Sequence, residues 1–364
     1  MSLERTLERY RACLADSDTR KRKTTEITFA VNCETPIAWV HLFDLDIPRF
    51  FEDPDYNLER TLAFRIWEYE NIHDDRLLSP YVPLNLGFYP EFSLLDMGAQ
   101  WSAAGVPILP DDHPIRESQD LSLIPEIDFR RSGIMPLALR WYDRWHALLP
   151  DDMTPGFISW GRGCLDLAIQ MRGYENLMAD SYESPEFVTD LLGLITRRRC
   201  EWFAHLHAHF GLQPSPQNIA DDWINSPFIT AEFFKSFVLP RYLEIESFHG
   251  GIGGIHSCGN QVPFQRDILS IASLQLLEVS PWTSLDATLE NTPPDMFLVV
   301  SLHPNDILLT TQPEMERRLK EIKEKCAGRR YTVATSGLTP LSPDPEQFLR
   351  QTRLWTETAR TLFS

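Results

Sequence analysis

The chain has 364 residues, of which 43% are hydrophobic and 24% are charged, so it is predicted to be a soluble globular protein of one large or two ordinary domains. Its formal net charge of −18 argues against a general nucleic-acid-binding protein, because phosphate binding requires a basic face. The six cysteines lack the spacing of a disulfide framework, and no signal peptide or membrane-length apolar run is visible. We therefore expect a cytoplasmic protein with no membrane partner.

Short β-rich runs alternate with longer amphipathic helical stretches along the chain. The runs with strand character are 37–41, 81–86, 156–160, 217–223, 252–256, 274–279, 297–303 and 331–335. Several of them are continuous apolar runs, which is typical of parallel strands covered on both faces. The clearest helices are predicted over 184–211, over 226–250 with a break or kink at Pro240, and over 312–328.

This alternation of strands and helices predicts βαβ units and a parallel sheet. Eight candidate strands over this length favour an α/β fold, a single (β/α)8 TIM barrel, over an open doubly wound sheet. No GxGxxG sequence follows the first strand, which argues against a dinucleotide-binding fold. The segment near residues 87–155 is rich in proline and aspartate and is predicted to be a long insertion that covers one end of the barrel.

Polar and aromatic side chains collect at the carboxyl ends of the predicted strands, where barrel enzymes carry their chemistry. Large aromatic side chains with a few polar groups suit a small substrate. On this basis we expect six residues to bind a small-molecule substrate: Trp39, His41, Asn85, Trp160, Asp221 and Trp223. The three tryptophans could instead be packing at the top of the barrel.

A candidate metal site lies in the sequence GGIGGIHSCGN, which ends the fifth predicted strand. His256 and Cys258 are two residues apart, so on an extended chain their side chains point to the same side. Glu278 ends the next predicted strand and should lie beside them. Three ligands of this kind with an open fourth position are typical of catalytic zinc. The pair could also be purely structural, and Glu278 could pair with a nearby arginine instead.

Asp222 is a second candidate for chemistry, because it is one of two adjacent acids at a strand end. A carboxylate there could transfer a proton or orient a substrate, particularly if burial raises its pKa. It could equally form a salt bridge to a helix or cap the turn before Ser226. The residues alone leave both interpretations open.

Four stretches of the chain together resemble the uroporphyrinogen decarboxylase superfamily, and more specifically its zinc-dependent cobalamin (corrinoid) methyltransferases. They are FFEDPDYNLERTLAFRIWEYENI, GCLDLAIQMRGYENLMADSYESPEFVTDLL, ADDWINSPFITAEFFKSFVLPRYLEI and GIHSCGN. The resemblance begins at about Pro36 and reaches the C-terminus. It implies a barrel domain at residues 36–364 and leaves residues 1–35 as an N-terminal helical extension.

The resemblance also implies a metal held by a His-x-Cys pair, a downstream glutamate and a late cysteine. His256 and Cys258 match the pair, and Glu278 matches the glutamate in position. The late cysteine is expected within VATSGL, where this chain has Ser336 instead. That departure matters because thiolates supply much of the affinity of such a site.

Two other residues could take the place of the late cysteine. Cys326 ends a predicted helix before the last strand, which puts it at the opposite end of the barrel, so we reject it. His303 ends a predicted strand in VVSLHPND and is the better substitute. It could act as a fourth ligand, with water as the alternative, or could simply be a histidine that caps its turn.

The decarboxylase branch of the superfamily grips substrate carboxylates with an arginine-rich motif of the form PVWxMRQAGR. The matching stretch here is PIAWVHLFDLDIPR, which keeps Trp39, lacks both internal arginines and contains Asp44 and Asp46. Carboxylates would be repelled there, since guanidinium groups are what recognise them. Porphyrin decarboxylation is therefore not expected.

The resemblance implies a methyltransferase or demethylase that moves a methyl group between a small methylated substrate or thiol and a corrinoid. Zinc would act as a Lewis acid, and the cobalamin would be carried by a separate partner protein, since no cobalamin-binding domain is visible. One alternative is a metal-independent decarboxylase or lyase of a small acid, in which Asp222 and either His41 or His303 transfer protons. The other is a barrel that binds a metal or metabolite without catalysis.

Overall fold

The computed structural model of the chain describes residues 2–21, 28–33, 37–87, 90–98, 100–102, 107–110, 112–341 and 344–363. Within these ranges the strands are short. They are β1 (Phe29–Ala30), β2 (Tyr81–Pro83), β3 (Gln100–Trp101), β4 (Pro107–Ile108), β5 (Thr154–Gly156), β6 (Gln217–Ala220), β7 (Ile252–His256), β8 (Leu276–Val279), β9 (Phe297–Leu302) and β10 (Tyr331–Thr335).

Helices follow most of the strands and make up the larger part of the described chain. They are α1 (Leu3–Lys21), α2 (Ile37–Phe43), α3 (Ile47–Glu52), α4 (Pro54–Asn71), α5 (Pro90–Leu94), α6 (Met135–Leu148), α7 (Cys164–Arg172), α8 (Tyr174–Glu183), α9 (Pro185–Phe210), α10 (Ala231–Phe233), α11 (Leu239–His249), α12 (Gln265–Ile268), α13 (Leu285–Asn291), α14 (Asn305–Leu308), α15 (Gln312–Lys325) and α16 (Pro345–Phe363). Short 3₁₀ helices cover Pro114–Arg116, Leu121–Leu123 and Val262–Phe264, and a π-helical turn covers Phe234–Val238.

The α/β architecture with a mostly parallel sheet is confirmed. Six parallel strands lie in the order β1-β10-β9-β8-β7-β6, and β2 pairs with β5 in a second parallel ladder. A parallel bridge between Arg162 and Ala220 connects the chain after β5 to β6. Among the described residues no named ladder joins β1 to β2, so these ladders do not by themselves close a barrel.

The first strand of the sheet differs from the one that the sequence predicts. The expected strand at 37–41 is wrong, because these residues form α2. Ala38 and Trp39 on this helix are buried, and the Trp39 ring centroid lies 4.5 Å from that of Phe64. So short an apolar run fits a helix as well as a strand. The sheet instead begins at β1, inside the segment expected to be an N-terminal extension.

The longest predicted helices are largely confirmed, as α9 and α15 show. The helix predicted to begin near residue 226 starts only at Ala231, and a π-helical turn precedes Pro240. Proline has no N–H to donate to the preceding turn, and a wider turn accommodates that loss. The predicted insertion carries β3, β4, α5 and α6, of which α5 approaches the candidate site.

The core is one continuous apolar cluster between the sheet and its surrounding helices. Its largest fully buried side chains include Trp145, Trp160, Trp202 and Trp355. A smaller cluster around Trp39 and Phe50 packs α2, α3 and α4 together. In the described part of the chain, no helix combines the length and the apolar character needed to cross a membrane.

Candidate metal centre

The candidate site lies where β7 ends and its following loop packs against the loop after β6. The backbone must pass close to its neighbours there, because a Cβ on Gly254 would lie 2.6 Å from Leu276 and one on Gly259 would lie 1.8 Å from Asn225. The Ser257 hydroxyl donates a hydrogen bond to the Ile224 carbonyl at 2.9 Å. Glycine and a small polar residue thus let the two loops meet.

Three potential ligands converge at this junction: Asp222, His256 and Cys258. His256 Nε2 lies 3.4 Å from Cys258 Sγ and 3.4 Å from Asp222 Oδ1. One donor atom from each residue lies within 4.8 Å of the others, and this is the one such group found in the described ranges. Cys258 is exposed and the His256 side chain is 42% exposed, so a ligand can approach from solvent.

Glu278 lies on the other side of the His256 ring. Its Oε2 is 2.6 Å from His256 Nδ1, and its Oε1 accepts a hydrogen bond from the Ser301 hydroxyl at 2.9 Å. The sequence-based placement of Glu278 beside His256 therefore agrees with the structure, because their strands β8 and β7 are neighbours. Glu278 contacts the ring nitrogen that faces away from Cys258.

Asp222 is held in place by a buried arginine that the sequence analysis did not single out. Arg162 Nη1 donates to Asp222 Oδ2 at 2.6 Å and also to Asp166, and its backbone N–H donates to Glu91 Oε1 at 2.6 Å. The Cys258 N–H donates to Asp222 Oδ1 at 3.2 Å. Arg162 lies two residues beyond the predicted strand at 156–160. Including the two residues after each strand end among the candidates would have identified it.

The neighbouring charged and hydrogen-bonding groups shift the pKa values of Asp222, His256 and Cys258. Burial opposes ionisation of Asp222, but its hydrogen bond with His256 and the charge of Arg162 hold its pKa below the usual range. Burial likewise opposes a charge on His256, yet hydrogen bonds with Asp222, Cys258 and Glu278 raise its pKa to about 12. Burial raises the pKa of the Cys258 thiol. A cation at His256 Nε2 would displace the proton there, so metal binding would release protons.

Asp221, the neighbour of Asp222, is completely buried. It accepts hydrogen bonds from the Leu165 and Asp166 N–H groups at 3.2 and 3.0 Å and from the Tyr242 hydroxyl at 2.8 Å. These N–H groups belong to the first turn of α7, where they have no partner within the helix. In this structure Asp221 therefore serves as a helix cap supplied by another strand.

Two of the remaining predicted substrate-binding residues are packed in apolar clusters, and two are at least partly exposed. Trp160 is buried in the core, and Trp39 is buried in the α2–α4 cluster, while His41 is exposed on α2. Asn85 is half-buried and its carbonyl accepts from Asn57 at 2.7 Å. Their role in binding stays a prediction.

Trp223 lies next to Asp222 and forms part of an aromatic group. Its ring stacks on Tyr174 at a centroid distance of 5.2 Å and meets Phe228 edge-on at 5.3 Å. Phe228 is 45% exposed. Trp223 and Phe228, together with Tyr174 at the start of α8, provide an apolar surface beside Asp222.

Of the two possible extra ligands, His303 and Ser336, the histidine lies outside the three-residue group. His303 Nδ1 accepts a hydrogen bond from the Asn305 N–H at 3.1 Å, and its ring meets Trp282 edge-on at 5.4 Å. This is the geometry of a histidine that caps its turn. Ser336 is half-buried after β10, and its N–H donates to the Leu302 carbonyl at 2.9 Å.

Comparison with known proteins adds information about the fold. No family model matches the chain, and no curated protein matches its sequence. Among solved structures, a methyltransferase from Methanosarcina mazei matches with a TM-score of 0.68 and 15% sequence identity, covering 94% of this chain and 95% of that one. At this identity the likeness shows the fold alone: the chain has the same α/β architecture as that methyltransferase over nearly its whole length.

Proposed function

We propose that the protein is a metal-dependent methyltransferase or demethylase of the uroporphyrinogen decarboxylase superfamily, in its zinc- and corrinoid-dependent branch. The methyl group would move between a small methylated substrate or thiol and cobalamin on a separate corrinoid protein, in the cytoplasm. The observation that carries the proposal is the convergence of a histidine nitrogen, a thiol and carboxylates at the ends of β6, β7 and β8. The fold shared with a methyltransferase supports the same reaction class.

We infer that eight parallel strands close into a (β/α)8 barrel. In chain order these are β1, β2, β5 with its continuation to Arg162, and then β6 to β10. The bridge from Arg162 to Ala220 supports this arrangement, as does the pairing of β1 with β10 at the far end of the sheet. A closed barrel would place all the strand ends around one mouth, where such enzymes carry their active sites.

Zinc suits the donor set at this mouth, since imidazole and thiolate are ligands that it prefers. His256 and Cys258 would hold it together with an adjacent carboxylate, for which the sequence indicates Glu278. When bound, zinc supplies a Lewis acid that lowers the pKa of a thiol acceptor or polarises the atom that carries the methyl group.

The protein's own residues prepare the site for that chemistry. Glu278 accepts the Nδ1 proton of His256, which fixes the ring orientation and leaves Nε2 facing Cys258. The exposed side of Cys258 leaves room for a substrate atom. The aromatic group at Trp223 offers the apolar contact that a small methylated compound needs.

The proposal can be tested with purified protein, free cob(I)alamin and a panel of methylated amines, alcohols and thioethers. Methyl transfer to cob(I)alamin changes its visible absorbance, and we expect this change only with zinc-loaded protein. Cys258→Ser should abolish it, whereas His146→Ala, on the exposed side of α6, should retain it. Protein that contains no zinc, together with turnover of a small acid that a chelator does not affect, would favour the metal-independent lyase instead.

A further inference from the structure

We propose that Asp222 is the third protein ligand of the metal and that Glu278 acts as an outer partner which orients His256. This inference deepens the proposed function and rests on it. It replaces the late cysteine, absent at Ser336, with a carboxylate from the loop after the neighbouring strand β6. The ligand set that the resemblance implies does not include Asp222.

The distances between donor atoms distinguish the two carboxylates. For tetrahedral zinc with bonds of about 2.0 Å to nitrogen or oxygen and about 2.3 Å to sulfur, neighbouring donor atoms lie about 3.3 to 3.6 Å apart. His256 Nε2 lies 3.4 Å from Cys258 Sγ and 3.4 Å from Asp222 Oδ1. Both separations fall within that interval, and the three donor atoms all lie within 4.8 Å of one another, so one ion could contact all three residues.

Glu278 has a different relation to the ring. Its Oε2 lies 2.6 Å from Nδ1, which is a hydrogen-bond distance and shorter than the separation of two ligands on one ion. Nδ1 and Nε2 point in different directions from the imidazole, so an oxygen bonded to Nδ1 does not face a metal at Nε2. A carboxylate on the second nitrogen of a ligating histidine is the usual outer partner at zinc sites.

The surroundings of Asp222 orient it as a ligand with one oxygen. Arg162 occupies Oδ2, which leaves Oδ1 directed at His256 and at the Cys258 loop. Arg162 is itself nearly buried and is fixed by Asp166 through its side chain and by Glu91 through its backbone. Asp222 therefore reaches the site already oriented, and coordination would require little additional ordering.

Introducing a thiol at each carboxylate position provides a direct test. Zinc K-edge X-ray absorption of the full-length wild type should show one sulfur bound to zinc. We expect two sulfurs in Asp222→Cys and one in Glu278→Cys, because only the first position would coordinate the ion. The cobalt(II)-substituted proteins should show the same order, with roughly doubled thiolate charge-transfer absorbance in Asp222→Cys alone.

Zinc affinity, measured by competition with a chromophoric chelator, provides an independent test. Its substitutions replace each carboxylate with the amide of the same shape. Asp222→Asn should weaken binding more than about 100-fold, and Glu278→Gln by about 10- to 100-fold, which is typical of an outer partner. Asp306→Asn, a carboxylate after β9 outside the three-residue group, is the matched control and should bind zinc like the wild type. Near-ultraviolet circular dichroism of each variant reports whether it has folded.

The possible outcomes separate this inference from the proposed function. If the wild type binds zinc through His256 and Cys258, but Asp222→Cys still shows one sulfur and Asp222→Asn keeps its affinity, the inference is overturned and the proposed function stands. Two sulfurs in Glu278→Cys, with one in Asp222→Cys, would make Glu278 the ligand. Wild-type protein that binds no zinc would overturn both.

Discussion

Replacing Glu91 with glutamine should change how the stability of the protein depends on pH. Glu91 lies on α5 in the predicted insertion, is 1% exposed, and accepts the Arg162 N–H at 2.6 Å. Burial raises its pKa to about 7, even though that N–H and the nearby charge of Arg199 favour the ionised form. Glutamine keeps an oxygen acceptor for Arg162 but cannot ionise.

The direction and size of the change in stability with pH follow from the pKa values of Glu91 in the unfolded and folded protein. Between the ordinary value of 4.5 and the folded value of about 7, the unfolded chain has lost the Glu91 proton while the folded protein retains it. Stability contributed by this group is therefore present in full below pH 4.5 and is lost as the pH rises to about 7. At about 1.4 kcal/mol per pH unit, the interval from pH 4.5 to about 7 corresponds to a loss of about 3 to 3.5 kcal/mol.

Urea unfolding of the wild type and Glu91→Gln at a series of pH values between 4 and 8 should reveal this difference. We expect the wild type to lose about 3 kcal/mol relative to the variant across that range, since the other ionisable groups titrate in both proteins. Glu175→Gln, an exposed glutamate in the first turn of α8, controls for the loss of one charge. Parallel stability curves for the wild type and Glu91→Gln would refute the reasoning.

Three further substitutions test other parts of the structure. Gly259→Ala should destabilise the protein by about 1–3 kcal/mol in urea unfolding, because the added Cβ would lie 1.8 Å from Asn225; unchanged stability would mean that the two loops are not packed as described. Asp221→Ala should lower the free energy of unfolding by on the order of 3 kcal/mol, because it leaves N–H groups of α7 without their acceptor. The zinc content of the folded variant should match that of the wild type. His303→Ala should change zinc affinity by no more than about twofold, because His303 lies outside the three-residue group and its Nδ1 accepts the Asn305 N–H, which puts the proton of the neutral ring on Nε2. A loss of about tenfold or more would identify His303 as a ligand.

Sequence patterns were most informative where a structural element has a regular repeat. The strands β7 and β10 were predicted at their observed bounds, and α9 to within a residue or two, because an apolar strand between turn residues and a long helix between proline and glycine are locally specified. The run at 37–41 was ambiguous because it is too short to show either repeat. A short apolar segment gains from burial as a helix or as a strand, and only its packing partners Phe50 and Phe64 decide between them.

The candidate site was partly predictable from the same regularities. The spacing of His256 and Cys258 predicts that their side chains lie close together, as they do, although Cys258 lies in a bend beyond the end of β7. Parallel neighbours bring Glu278 against His256. No such rule indicated which of two adjacent acids would approach them. Asp221 turns inward to α7, whereas Asp222 turns to the Cys258 loop.

The sequence by itself therefore determined the α/β alternation, the His-x-Cys pair and the neighbouring glutamate, because each depends on local periodicity or on strand order. The tertiary structure decided that α2 is a helix, that β1 begins the sheet, and that Arg162 and Glu91 position Asp222. These contacts join residues about 60 and 70 positions apart, through buried polar and charged groups that are stable only when each is hydrogen-bonded. That pairing depends on how the loops pack, and no repeat in the sequence specifies it.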